Sequence, residues 1–298
     1  MPLTKPSEVD GSSRLLETVV WYPASPGSGE RESLYDAVVD APVDLSEGPR
    51  PILLFSHGSC GFERQSLFLT PWLASHGFVV VAPPHPGNTL FEYPQCGRSE
   101  NTAPSSIERP ADMVFVLDSI LAANADPASP FFDTLNPDAV GMSGHSFGGF
   151  TTFRTVERDD RIKVAIPLAA AAPADGRFDI PSLTFIGDID SVVSNERNVA
   201  AYERSSGQKW LVNVLYAGHY LVSDACFPSV DCEPPFVLEQ PEAHDLAKRW
   251  LLPFLKFFLE GDESFAPFLA RDAGPGFEVE SSPEAARAIV RAIRDSTD

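Results

Sequence analysis

The feature that most constrains this chain is the stretch 138–149, where a short run of small, mostly apolar residues, 139–143, leads straight into Gly144-His145-Ser146-Phe147-Gly148. A bare G-x-S-x-G is a weak signal. Its meaning comes from context: a buried strand before it and helix-compatible residues after it, here including Phe150 and Phe153, describe a sharp strand-to-helix turn that presents one serine. Such a turn strains the serine backbone and tolerates little bulk at its flanks, which is the steric reason for Gly144 and Gly148. Ser146 is therefore the candidate nucleophile.

The surrounding pattern suits that turn. Residues 14–22 read as an early strand and 23–50 as loop with an edge strand. Strands are then expected over 51–55, 78–82, 164–168, 182–186 and 210–216, and helices over 66–75, 109–124, after Ser146, near 196–204 and over 246–259 despite Pro253. A terminal helix over 282–294 would have Ser282 as N-cap and Pro283 in its first position. Strands that are apolar throughout, separated by helical segments, indicate a mostly parallel central sheet with helices on both faces, the α/β class. At 298 residues and 43% hydrophobic content, one domain over 1–298 is expected.

A net charge of −20 argues against nucleic acid or an anionic membrane surface as partner. No apolar run is long enough to span a bilayer, and the start Met1-Pro2-Leu3-Thr4-Lys5-Pro6 lacks the apolar core of a signal peptide. The expectation is a cytoplasmic protein as read, or a secreted one in processed form. No Cys or His spacing suggests a zinc site. The four cysteines admit a Cys226–Cys232 pair closing a small loop and a Cys60–Cys96 pair tying two loops, or free thiols in a reducing compartment.

A serine hydroxyl needs a base, and the base needs an acid to fix its tautomer. In this fold class the order is Ser, then Asp or Glu, then His. Of the two histidines after Ser146, His219 lies in a small-residue loop after a strand, whereas His244 falls among helix formers, so His219 is the candidate base. The acid should leave the end of strand 182–186, at Gly187-Asp188-Ile189-Asp190-Ser191. Asp190, further from the strand end, is the choice; Asp188 is the alternative, otherwise a residue bonding the loop backbone. An oxyanion hole needs the backbone N–H after the nucleophile, Phe147, and one from the loop after strand 51–55, most simply Ser59, with Cys60 as the fallback. His57 precedes the serine and reads as a loop-fixing residue, His145 as one that shapes the turn, and His76 and His85 as ordinary polar residues.

With these residues in view, the chain resembles an α/β-hydrolase of the dienelactone hydrolase-like and platelet-activating factor acetylhydrolase-like group. The resemblance rests on Phe55-Ser-His-Gly-Ser59, Leu73-Ala-Ser-His-Gly-Phe-Val-Val80, His85-Pro-Gly-Asn88, Arg109-Pro-Ala-Asp112 and Gly144-His-Ser-Phe-Gly-Gly149. Bacterial cutinases and polyester hydrolases are similar too, through 73–80 and Asp188-Ile-Asp-Ser191, and that similarity favours Asp190. The resemblance implies ester hydrolysis without a cofactor, through an acyl-serine. Dienelactone hydrolases themselves use a cysteine nucleophile, so Ser146 argues against their substrate. Segment 220–241, with Phe227, Pro234, Pro235 and Phe236, is a candidate lid or pocket wall, or a surface excursion. The leading expectation is an esterase for short acyl esters. Alternatives are a polyester, cutin or phospholipid-type acyl hydrolase, an amide or peptide hydrolase, and a binding protein without turnover.

Overall fold

The computed structural model describes residues 1–32, 37–226, 238–270 and 273–295. The chain opens with β1 (Pro2–Pro6), β2 (Ser13–Glu17) and β3 (Val19–Trp21), followed by β4 (Glu30–Glu32) and β5 (Ala37–Val39). The alternating core then runs β6 (Arg50–Ser56), α1 (Thr70–Ser75), β7 (Val79–Ala82), α2 (Ser99–Ala125), β8 (Leu135–His145), α3 (Phe147–Val156), β9 (Ile162–Leu168) and β10 (Ser182–Gly187). It continues through α4 (Asn195–Arg204) and β11 (Lys209–Val214) to α5 (Gln240–Leu259) and α6 (Ala266–Leu269). The described chain closes with β12 (Ala273–Gly274), β13 (Phe277–Ser281) and α7 (Pro283–Asp295).

Among the described residues the main sheet has nine strands in the order β12-β13-β11-β10-β9-β8-β6-β7-β3. The six from β11 to β7 are mutually parallel, and β3, β13 and β12 add antiparallel edges. This is the α/β-hydrolase fold. Every residue of β6 is buried, yet period two still divides them. Leu53 and Phe55 face the layer of α1, α5 and α7, with Leu73, Trp250, Phe254 and Ile289. Ile52 and Leu54 face α2 and α3, with Met113, Leu117 and Phe153. Each such side chain contributes about 1.5–3 kcal/mol of burial.

The structure redraws four expected boundaries. The strand over 14–22 is two strands in different sheets: the Thr18 N–H turns back to the Leu16 carbonyl (2.8 Å), so β2 pairs with β1 while β3 joins β7. The helix expected from residue 66 starts at Thr70, with Pro71 in its first turn, where a missing N–H costs nothing. Helix α2 begins at Ser99, well before the expected 109, and carries Pro104 and Pro110 inside it. Near the prolines, Ser105 and Ser106 hydroxyls donate to the carbonyls of Asn101 (2.7 Å) and Ala103 (2.6 Å). Strand β11 ends at Val214, and the chain turns at Tyr216, whose φ is 59°. At the terminal helix, Ser282 Oγ accepts from Ala285 N–H (3.2 Å), the cap the sequence implies. No described helix is long and apolar enough to cross a membrane.

Strand order reverses between β6 and β8, which are neighbours although β7 lies between them in sequence. Their carboxyl ends open a crevice at that reversal, the place where α/β sheets bind ligands.

Candidate active site

Ser146 joins β8 to α3 with φ 56° and ψ −117°, a conformation that costs a non-glycine residue about 1–3 kcal/mol. Neighbouring backbone holds it there. The Ser146 N–H donates to Leu168 O (2.8 Å), and Ser146 O accepts from the N–H groups of Gly149 (2.9 Å) and Phe150 (3.2 Å). The flanking glycines are required by contact: a Cβ on Gly144 would overlap the Gly148 backbone, and one on Gly148 would overlap the Ser56 carbonyl. The start of α3 thus lies directly against the end of β6.

His219 comes from the loop after β11 and Asp190 from the loop after β10, and the structure brings both to Ser146. His219 Nε2 lies 2.8 Å from Ser146 Oγ, and its Nδ1 lies 2.8 Å from Asp190 Oδ2. A carboxylate only accepts, so Nδ1 carries the proton and Nε2 is left to accept from the serine hydroxyl. Asp190 Oδ1 accepts from the N–H groups of Val192 (2.9 Å) and Val193 (2.7 Å), and Asn198 Nδ2 donates to Oδ2 (3.2 Å). Burial pushes the Asp190 carboxyl up, but the hydrogen bond and charge of His219, with Val193 and Asn198, hold it below the ordinary carboxylate range. Asp188 makes no such approach. Among the described residues its buried Oδ1 has no hydrogen-bond partner, and the loop-backbone bonds expected of it are made by Asp190 instead.

Phe147 is the first residue of α3, where an N–H has no carbonyl one turn back to bond. Across the crevice, the Gly58 carbonyl accepts from His57 Nδ1 (2.7 Å) and from Gly61 N–H (3.0 Å). Those two bonds fix the Gly58–Ser59 peptide plane, and with it the direction of the Ser59 N–H, which lies in that plane and points away from the carbonyl. His57 Nε2 accepts from the His85 N–H (3.2 Å), which sets its tautomer. Cys60, with φ 54°, is disulfide-bonded to Cys96. Cys226 is disulfide-bonded as well; Cys232 lies outside the described residues.

His145 and Gln65 connect the two sides. The Gly58 N–H donates to Gln65 Oε1 (2.8 Å), Gln65 Nε2 donates to His145 Nδ1 (2.7 Å), and His145 Nε2 donates to the His219 carbonyl (2.8 Å). Burial first, and the neighbouring His219 second, push the His145 pKa down to about 3, so it stays neutral in this chain of bonds.

Ser146, His219 and Ser59 open onto a cavity of about 410 Å³ walled by Phe62, Leu90, Tyr93, Val192 and Tyr220. Ser223 and Ala225 contribute to it, so the start of segment 220–241 does border the site; Phe227, Pro234, Pro235 and Phe236 lie outside the described residues.

His85 departs from its reading as an ordinary polar residue. It is fully buried, with Nδ1 donating to Asp112 (3.0 Å) and Nε2 accepting from Ser56 Oγ (2.9 Å). Asp112 also takes a two-pronged bond from Arg14 (3.2 and 2.7 Å). This layer, together with Gln65, Asn88 and Arg109, had no signal of its own in the sequence beyond lying in or near the quoted motifs. Neither His76 nor His244 lines the cavity: His76 bonds Trp72 O (2.8 Å), and His244 stacks on Phe68 and bonds the carbonyl of the wall residue Ser223 (3.2 Å).

The sequence matches the PETase family, described as PET hydrolase-like, over residues 55–282, more than half of the chain. Platelet-activating factor acetylhydrolase from Cavia porcellus is 22% identical over 256 residues, covering 72% of this chain; the chain spans only 59% of that relative's length. The ferulic acid esterase from Streptomyces cinnamoneus superposes with a TM-score of 0.75 at 23% identity over 94% of each chain, a likeness of fold. The chain thus belongs to the PET hydrolase-like family of α/β-hydrolases.

Proposed function

We propose that the protein is a serine carboxylic-ester hydrolase working through an acyl-serine on Ser146. The observation that carries the reading is the unbroken Ser146–His219–Asp190 relay opening into a cavity, with both links at 2.8 Å. Ser146 Oγ attacks the ester carbonyl carbon while His219 Nε2 takes its proton. The carbonyl oxygen becomes an alkoxide, and the N–H groups of Phe147 and Ser59 bind it. The C–O bond breaks as His219 returns the proton to the departing alcohol, leaving the acyl group on Ser146. Water, deprotonated by the same imidazole, then releases the acid. Asp190 stays ionised throughout and stabilises the imidazolium; its depressed pKa suits that role.

The cavity, about 410 Å³, sits at the small end of ligand pockets and is walled largely by apolar side chains, which favours short neutral acyl groups. The net charge of −20 works against anionic substrates at long range. A second reading, a polyester or phospholipid-type substrate, is favoured by the rim: Leu90, Phe91 and Tyr93 are 46%, 83% and 58% exposed beside the cavity. The family and the acetylhydrolase relative point the same way.

The test is hydrolysis of nitrophenyl esters from acetyl to long acyl chains by wild type and Ser146→Ala, with a nitroanilide beside them for amide cleavage. The expected result is turnover on short esters that falls by at least about 10⁴-fold in the variant. Equal rates in the two proteins would remove Ser146 as nucleophile. Absence of fluorophosphonate labelling at Ser146 in folded wild type would favour a binding protein without turnover.

A further inference from the structure

Arg109 is fully buried in α2, and among the described residues no carboxylate pairs with its guanidinium. Its acceptors are neutral: Nη1 donates to Asn88 Oδ1 (2.7 Å), and Nη2 donates to Ser56 Oγ (2.9 Å) and, closely, to the His57 carbonyl. Among the described residues Nε has no hydrogen-bond partner. The nearby carboxylate, Asp112, is engaged with Arg14, Lys5 and His85. Burial lowers the Arg109 pKa to about 9, with Asp112 working against it, so the group is still a cation at neutral pH. An unpaired buried cation costs several kcal/mol, more than stability alone would retain.

The contacts of this cation converge on both halves of the oxyanion hole. The His57 carbonyl lies two residues before Ser59. Asn88, held by Arg109 through Oδ1, donates from Nδ2 to Ser59 Oγ (3.1 Å) and to Cys96 O (2.7 Å). On the other side, the guanidinium carbon lies 4.7 Å from the centroid of the Phe147 ring, a cation–π contact. A rigid planar fork can hold several acceptors and one ring face at once; an ammonium on a flexible stem cannot.

We propose that Arg109 is a positioning residue that sets the spacing between the two oxyanion donors, by gripping the backbone before Ser59 with its N–H groups and the Phe147 ring with its face. This rests on the acyl-serine reading above. Arg109 itself touches no reacting atom. Its effect is confined to the transition state, because the alkoxide needs both N–H groups at once whereas the ground-state ester is held by the cavity walls.

The experiment measures kcat and KM for nitrophenyl acetate, and inhibition by phenylboronic acid, in wild type, Arg109→Lys, Arg109→Met and Phe147→Leu, with folding checked by near-ultraviolet circular dichroism. Phenylboronic acid forms a tetrahedral adduct on a serine Oγ and places a boron hydroxyl in the hole. In folded Arg109 variants kcat should fall about 100-fold while KM stays within about twofold, and boronate inhibition should weaken to match kcat. Phe147→Leu keeps its N–H but removes the ring; kcat should fall about tenfold, and the double variant with Arg109→Lys should cost less than the product of the singles. Should the Arg109 variants fail to fold, Phe147→Leu decides: a wild-type kcat there overturns the proposal. So does a folded Arg109 variant with wild-type kcat and boronate affinity, or one in which KM alone rises. Wild-type enzyme that is insensitive to boronate and equal to Ser146→Ala would instead sink the acyl-serine reading.

Discussion

The two walls of the crevice are built by opposite means. The serine wall is made by backbone: consecutive residues of β8 and α3, a left-handed Ser146, and glycines pressed against carbonyls of β6. The facing wall is made by side chains: His57, His85, Asn88, Arg109 and Asp112 are linked across long sequence separations, and Gln65 ties Gly58 to His145. Steric walls fail by overlap and lose stability. Hydrogen-bonded walls fail by drift and lose geometry first.

The largest expected effect tests the point where the relay leaves the serine wall. Asp190→Asn should lower kcat about 10⁴-fold in a folded protein, because an amide can hold His219 in the wrong tautomer. Asp188→Asn should stay within about threefold of wild type, since its carboxylate bonds neither the imidazole nor the loop. Comparable losses in the two, measured with nitrophenyl acetate, would erase the distinction between them.

The facing wall, and His145 where it meets β8, should also respond to acid. His57 and His85 are held far below an ordinary imidazole pKa, by burial first and the Arg109 charge second, and His145 is pushed to about 3 by burial and then His219. Unfolded, each would titrate near ~6.5, so the unfolded chain binds more protons between that value and the folded pKa. Their stabilising contribution is present above pH ~6.5 and is lost as pH falls, at up to about 1.4 kcal/mol per pH unit for each histidine. Urea unfolding at pH 7.5, 6.0 and 5.0 should show this decline. His85→Gln should make it shallower; an unchanged slope would mean that His85 contributes nothing to it as a neutral imidazole.

Matched glycine substitutions give the narrowest comparison. Gly148→Ala drives a Cβ into the Ser56 carbonyl, with the His57 carbonyl 2.8 Å away, and should cost about 3 kcal/mol or more. Gly58→Ala meets only side chains, the nearest being His145 Nδ1 at 3.2 Å, and should cost about 1 kcal/mol in thermal or urea unfolding. Equal costs would show that both walls yield alike.

The same contrast explains what could be read from the sequence. Apolar strands such as 51–55 and 182–186 announce themselves by composition, and Ser146 by a local steric requirement. His219 and Asp190 followed from chain order and strand ends. The facing wall carries no period or spacing: Arg109 and Asn88 are 21 residues apart and Arg14 and Asp112 are 98 apart, and only the folded sheet relates them. Helix α2 begins at Ser99 rather than at the expected 109, because tertiary packing carries it through Pro104 and Pro110.

The reversal of strand order between β6 and β8 also bears on how the molecule forms. The backbone of Ser56 reaches that of Gly148 only after the chain from β7 through α2 has been looped out and returned. Closing a longer loop adds little to the equilibrium cost, but distant pairings slow the folding of a chain. A chain with its helices formed and this central pairing absent has a serine but no hole beside it. On the acyl-serine reading proposed above, turnover would report the completed sheet, and its recovery during refolding would date the closure of the molecule's centre rather than the appearance of its secondary structure.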